Sequence, residues 1–68
     1  MMKDVLRKEM ESRKFPKSVI TTALGAAKLS ENPDELAAEM LEKVRQNCHP
    51  KEIVKAAQPA IRKHLGMD

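Results

Sequence analysis

The chain has 68 residues, 41% of them hydrophobic and 34% charged, with a net charge of +3 and a single cysteine. With one cysteine, two glycines and no long apolar run, it cannot be a disulfide scaffold, a collagen-like chain or a helical membrane span. A chain this short draws only about 3–5 kcal/mol from its core, so a partner or a second copy is a natural expectation.

Met2, Val5, Leu6 and Met10 step by three and four residues and predict a first helix over 2–14 with one apolar stripe. Asp4 with Lys8 and Glu9 with Arg13 stand four apart in the favourable order on its wet face. Phe15-Pro16 ends it, because the residue before a proline avoids the α region. A second helix is predicted over 16–29, carrying Val19, Ile20, Ala23, Leu24 and Ala27. Its Gly25-Ala26-Ala27 stretch is a small-residue patch that would admit the close approach of a neighbouring helix.

The third helix, over 33–47, sets Leu36, Ala37, Met40, Leu41 and Val44 on one side. Asp34 and Glu35 fall in its first turn and Lys43 and Arg45 near its end, as the helix dipole prefers. Asn32 followed three residues later by Glu35 resembles a capping box. The fourth helix, over 50–65, carries Ile53, Val54, Ala57, Ile61 and Leu65, with Gly66 as its cap. Pro59 interrupts it at a cost of about 3 kcal/mol, which predicts a kink near Gln58 or a break into 50–57 and 59–65. No segment alternates with period two, so the expected fold is all-α: one domain over 1–68, a compact bundle of four short helices. Pro16, Pro33 and Pro50 recur every 17 residues, which reads as three helices sharing a start signal rather than as a solenoid repeat.

Charge is segregated along the chain. Residues 1–30 carry a net +4, residues 31–48 a net −3 and residues 49–68 a net +2, so an acidic helix lies between basic segments. The opening residues are interrupted by charges every few positions and contain no signal-like apolar stretch. Together with the free thiol of Cys48, this leads to the expectation of a soluble, cytoplasmic protein. Met1 at the start and the Gly66 cap near the end lead to the expectation of a whole gene product.

Cys48-His49 is the only close pair of metal-capable side chains, with His64 further along. A structural zinc site takes four such ligands at set spacings, and two adjacent residues point apart, so no metal and no cofactor is expected. Cys48 continues the 36/37/40/41/44 stripe and is expected to be a buried structural cysteine, with His49 starting the next helix. Ser12, Ser18, Ser30, Thr21 and Thr22 lie by no glycine elbow and no paired base, and no glycine-rich phosphate loop is present. Asp34, Glu35, Glu39 and Glu42 share a face in part, which reads as a solvated surface. The expectation is therefore a non-enzymatic protein with no small-molecule substrate.

What remains is binding. The main reading is a small adaptor module that contacts another protein, or a second copy of itself, and does not engage membranes. Lys51, Lys55, Arg62 and Lys63 are its expected partner-binding residues, forming a surface that meets an acidic partner. The alternative is a small nucleic-acid-binding protein, supported by a pI near 9.3. It would use the fourth helix and the N-terminal cluster of Arg7, Lys8, Arg13, Lys14 and Lys17. A helix-turn-helix made from the second and third helices is disfavoured, because its recognition helix would face phosphates with Asp34, Glu35 and Glu39.

Overall fold

The structure, a computed structural model, describes residues 2–66. Its elements are α1 (Met2–Ser12), α2 (Lys17–Leu29), α3 (Pro33–Arg45) and α4 (Pro50–Leu65), with no strand among the described residues, so the fold is the expected all-α bundle of four short helices.

Each helix contributes one apolar stripe to a common core. Leu6 and Met10 come from α1, Ile20, Ala23, Ala26 and Ala27 from α2, Ala37, Met40, Leu41 and Val44 from α3, and Ile53 and Ala57 from α4. α1 packs mainly across α3 and α2 mainly along α4; α2 and α3 also touch, while α1 and α4 do not meet. The bundle therefore has a central pair, α2 and α3, with α1 and α4 on separate outer sides. Among the described residues the interior holds no polar or charged side chain. Burying these stripes is what favours folding, at roughly 25 cal/mol for each Å² of apolar surface removed from water.

The helix ends differ from the expected ones for a local reason. α1 stops at Ser12 and α3 at Arg45, where the spacing predicts helix to 14 and 47. In each case the second residue beyond the end, Lys14 at φ 60° and Asn47 at φ 62°, adopts the left-handed conformation. The amides of Lys14 and Phe15 donate back to Glu11 and Met10, and those of Asn47 and Cys48 to Val44 and Lys43. This reversed pair of bonds satisfies the orphan carbonyls of a helix end without a glycine to announce it. α2 begins at Lys17 and not at Pro16, whose ψ of 142° is extended; its carbonyl accepts from the amides of Val19 and Ile20. Pro16 therefore corresponds to Asn32 and His49, one residue before Pro33 and Pro50, so the three prolines do not hold equivalent positions.

α4 is continuous through Pro59, so the expected break into two helices does not form. Pro59 lies on the exposed side. Ala60, Lys63 and His64 of α4 already stand beside Leu29, Ser30 and Glu31 at the end of α2, so Leu65 lies past the end of its main packing partner. This explains why Leu65, expected on the buried stripe, is 62% exposed. Val5 departs from its expected place in the same way, at 41%, because α1 turns only Leu6 and Met10 fully inward.

Two substitutions check this account by chemical denaturation. Ile53→Ala removes one of the largest fully buried side chains and should cost about 2–5 kcal/mol, enough to unfold much of the population of so small a domain. Pro59→Ala restores a backbone donor on the exposed side of α4 and should stabilise the fold, by at most about 3 kcal/mol.

Candidate partner-binding faces

α4 turns Ile53 and Ala57 inward and Lys51, Lys55 and Arg62 outward, all three of the latter exposed. Steps of four and seven residues return to nearly the same side of a helix with 3.6 residues per turn, so these cations form one stripe opposite the core. Lys63 is exposed but lies about 100° around the helix from Arg62. Its Nζ reaches Glu31 Oε1 at 3.0 Å and so links the end of α4 to the α2–α3 joint. The structure thus brings Lys51, Lys55 and Arg62 together and sets Lys63 apart.

One carboxylate, Glu52, borders the stripe on the side of Lys63. Lys55 Nζ stands 3.8 Å from Glu52 Oε1, while Lys51 and Arg62 make no ion pair among the described residues. α3, in contact with α4, presents Glu35, Glu39 and Glu42 to solvent on the side away from Met40 and Val44. The α2–α3 joint at Ser30-Glu31-Asn32 therefore leads into an acidic outer face. Asn32 caps α3 with no side-chain bond, so the expected capping box is absent; its own amide donates instead to Ser30 Oγ at 3.2 Å.

In the N-terminal basic cluster, two arginines are already engaged. Arg7 pairs with Asp4 at 3.3 Å, which replaces the expected Asp4–Lys8 pair. Arg13 Nε donates to Glu9 at 3.2 Å as expected, and a terminal guanidinium nitrogen donates to Asn47 Oδ1 at 2.7 Å. Arg13 therefore ties the end of α1 to the α3–α4 joint. Exposed ion pairs of this kind contribute about 0–1 kcal/mol each, so they orient more than they stabilise.

Cys48 and His49 have distinct jobs. Cys48 is half-buried against the core, where the stripe predicts a buried thiol; α3 has already ended before it, and the left-handed turn at Asn47 lifts it part-way out. His49 caps α4 as expected: its Nδ1 accepts from the Lys51 amide at 3.1 Å. The imidazole is therefore occupied by a backbone donor that would otherwise lack a partner.

One concavity was not legible from residue spacing. α1 and α2 meet in the least intimate of the helix pairings, leaving a groove of about 380 Å³ lined by Lys3, Asp4, Arg7, Thr21, Leu24, Gly25 and Lys28. Gly25 lies mid-helix, yet a Cβ built there would meet nothing within 4 Å. The small-residue patch thus divides: Ala26 and Ala27 are buried in the core, whereas Gly25 faces open space. A glycine inside a helix costs about 1 kcal/mol relative to alanine, and here no neighbour within the chain requires it. The signal available in the sequence was a glycine within a helical stripe, three residues before a lysine.

No helix among the described residues is long and apolar enough to cross a membrane. Comparison with protein-family models, curated proteins and solved structures finds no match to this chain.

The cap at His49 can be checked directly. His49→Ala should lower the unfolding free energy by about 1 kcal/mol, and His49→Asn should retain most of it, as read by urea denaturation followed by circular dichroism.

Proposed function

We propose that this protein is a non-enzymatic interaction module that binds an acidic surface of another protein through the outer face of α4. The observation that carries this reading is the stripe of three exposed cations on that face, bordered by a single carboxylate, Glu52. Lys51, Lys55 and Arg62 stand in line, with Glu52 beside Lys55 and Glu31 holding Lys63. A partner protein, whose own surface alternates in sign, can place carboxylates at Lys51 and Arg62 and cations at Glu52. Complementary patterns of this kind set orientation and suppress wrong partners.

The same arrangement argues against nucleic acid as the partner. A phosphate backbone offers only negative charge and would meet Glu52 at the edge of the stripe, where a protein surface can offer a cation. Chemistry beyond binding finds little support, since the one imidazole beside a thiol is committed to capping α4.

Fluorescence anisotropy tests the reading, using a labelled helical peptide whose glutamates flank a lysine, duplex DNA and single-stranded RNA at two salt concentrations. Binding is expected for the peptide, and the triple variant Lys51→Glu/Lys55→Glu/Arg62→Glu should abolish it while leaving the circular dichroism spectrum unchanged. If these three residues instead served phosphates, affinity for duplex DNA would fall about 40-fold between 50 and 200 mM salt, from a slope near −0.9 per contact. Such a slope, lost in the triple variant, would overturn the proposal.

A further inference from the structure

The groove between α1 and α2 has a composition that the α4 face lacks: cations on its rim and an apolar, side-chain-free notch on its floor. Lys3 and Arg7 rise from α1, Lys28 rises from α2, and Asp4, paired to Arg7, is the one acid. Thr21, Leu24, Gly25 and Lys28 follow the i, i+3, i+4, i+7 pattern, so they line one side of α2 over two turns, about 10 Å. At 1.5 Å per residue that length matches about seven residues of a docked helix. Gly25 is helical, carries no left-handed strain and presses on no neighbour, so nothing within this chain requires its missing side chain, and the groove floor is open there.

We propose that this groove docks an acidic amphipathic helix from another protein. One apolar side chain of that helix enters the notch over Gly25 against Leu24. Carboxylates one turn to either side reach Lys3 and Arg7 on one rim and Lys28 on the other. This is recognition by a helix laid in a groove, with apolar anchors at helical spacing and charge fixing the orientation. A second copy of the chain is the poorer occupant. Its acidic helix, α3, presents Glu35, Glu39 and Glu42, whereas the large exposed apolar side chains are Val5, Leu29 and Leu65, none of them on α3. It can supply the charge but not the knob. The site is separate from the one on α4, because no residue of α4 lines the groove.

The test is a titration of the isotope-labelled full chain with a capped helical peptide of Leu, Ala and Glu, of roughly 14 residues so that it holds its helix. Saturable amide shifts are expected at residues 3–7 and 21–28. Gly25→Leu fills the notch and should weaken binding at least tenfold, the equivalent of excluding one buried apolar side chain. Gly25→Ala is the folding control: its melting temperature should rise by about 4–8 °C, since a Cβ there meets nothing, while peptide affinity falls. Four results would overturn the proposal: shifts confined to α4, equal shifts at residues 3–7 and 21–28 from a peptide with Glu in place of every Leu, duplex DNA moving the same amides, or no saturable shift at all. Shifts confined to α4 would leave the α4 reading standing, so the two proposals fail separately.

Discussion

Everything in this molecule depends on closing a core from very few side chains. Among the described residues twelve buried side chains do it, and five of them, Ala23, Ala26, Ala27, Ala37 and Ala57, are alanines. Alanine contributes little buried area but lets helices approach closely and costs no side-chain entropy. The larger groups, Leu6, Met10, Met40, Val44 and Ile53, then fill the space between the helices. With so small an interior, no charge can be accommodated inside, and none is found there among the described residues. Every charged side chain among the described residues therefore lies at least partly on the surface, where its placement is free to serve binding.

That freedom shows in how the charges are arranged. α4 carries cations on the side opposite Ile53, and α3 carries carboxylates on the side opposite Met40. The polar links that do form are local or join loose ends: an ion pair of Arg13 with Glu9 and its hydrogen bond to Asn47, and an ion pair of Lys63 with Glu31. They fix the joints, leaving Lys51 and Arg62 outside any ion pair among the described residues. The α1–α2 groove repeats the theme on another side, with Lys3 from α1 and Lys28 from α2 lining a floor that is open at Gly25. A protein with separate cationic surfaces on α4 and over α1–α2 has the geometry to engage two acidic elements at once, which raises avidity without new contacts.

How much of this was legible in the sequence depended on the kind of signal. Apolar spacing sufficed for the helices and for most of the core, because burial repeats every three to four residues. It misjudged Val5 and Leu65, whose places in the stripe were right but whose exposure depends on where neighbouring helices end. The ends at Ser12 and Arg45 were not visible, because the left-handed residues that close them are Lys14 and Asn47 rather than glycine. Gly66, which is glycine, was read as a cap and serves as one. Lys51, Lys55 and Arg62 were recognisable as one stripe from spacing within a single helix. The separation of Lys63 was not, since its link to Glu31 arises from tertiary proximity across the α2–α3 joint. The groove was hidden for the same reason: it exists only where Lys3 and Arg7 are brought opposite Gly25 and Lys28.

The central claim is that the cationic face of α4 is free of folding duty and thus available for a partner. The most direct measurement compares the urea-unfolding free energy of the wild-type chain with that of Lys51→Gln/Lys55→Gln/Arg62→Gln. Equal stability within about 0.5 kcal/mol is the predicted result, as for surface positions that support no buried contact. A loss of about 2 kcal/mol or more would contradict the account, because the stripe would then be holding the bundle together rather than facing outward to bind.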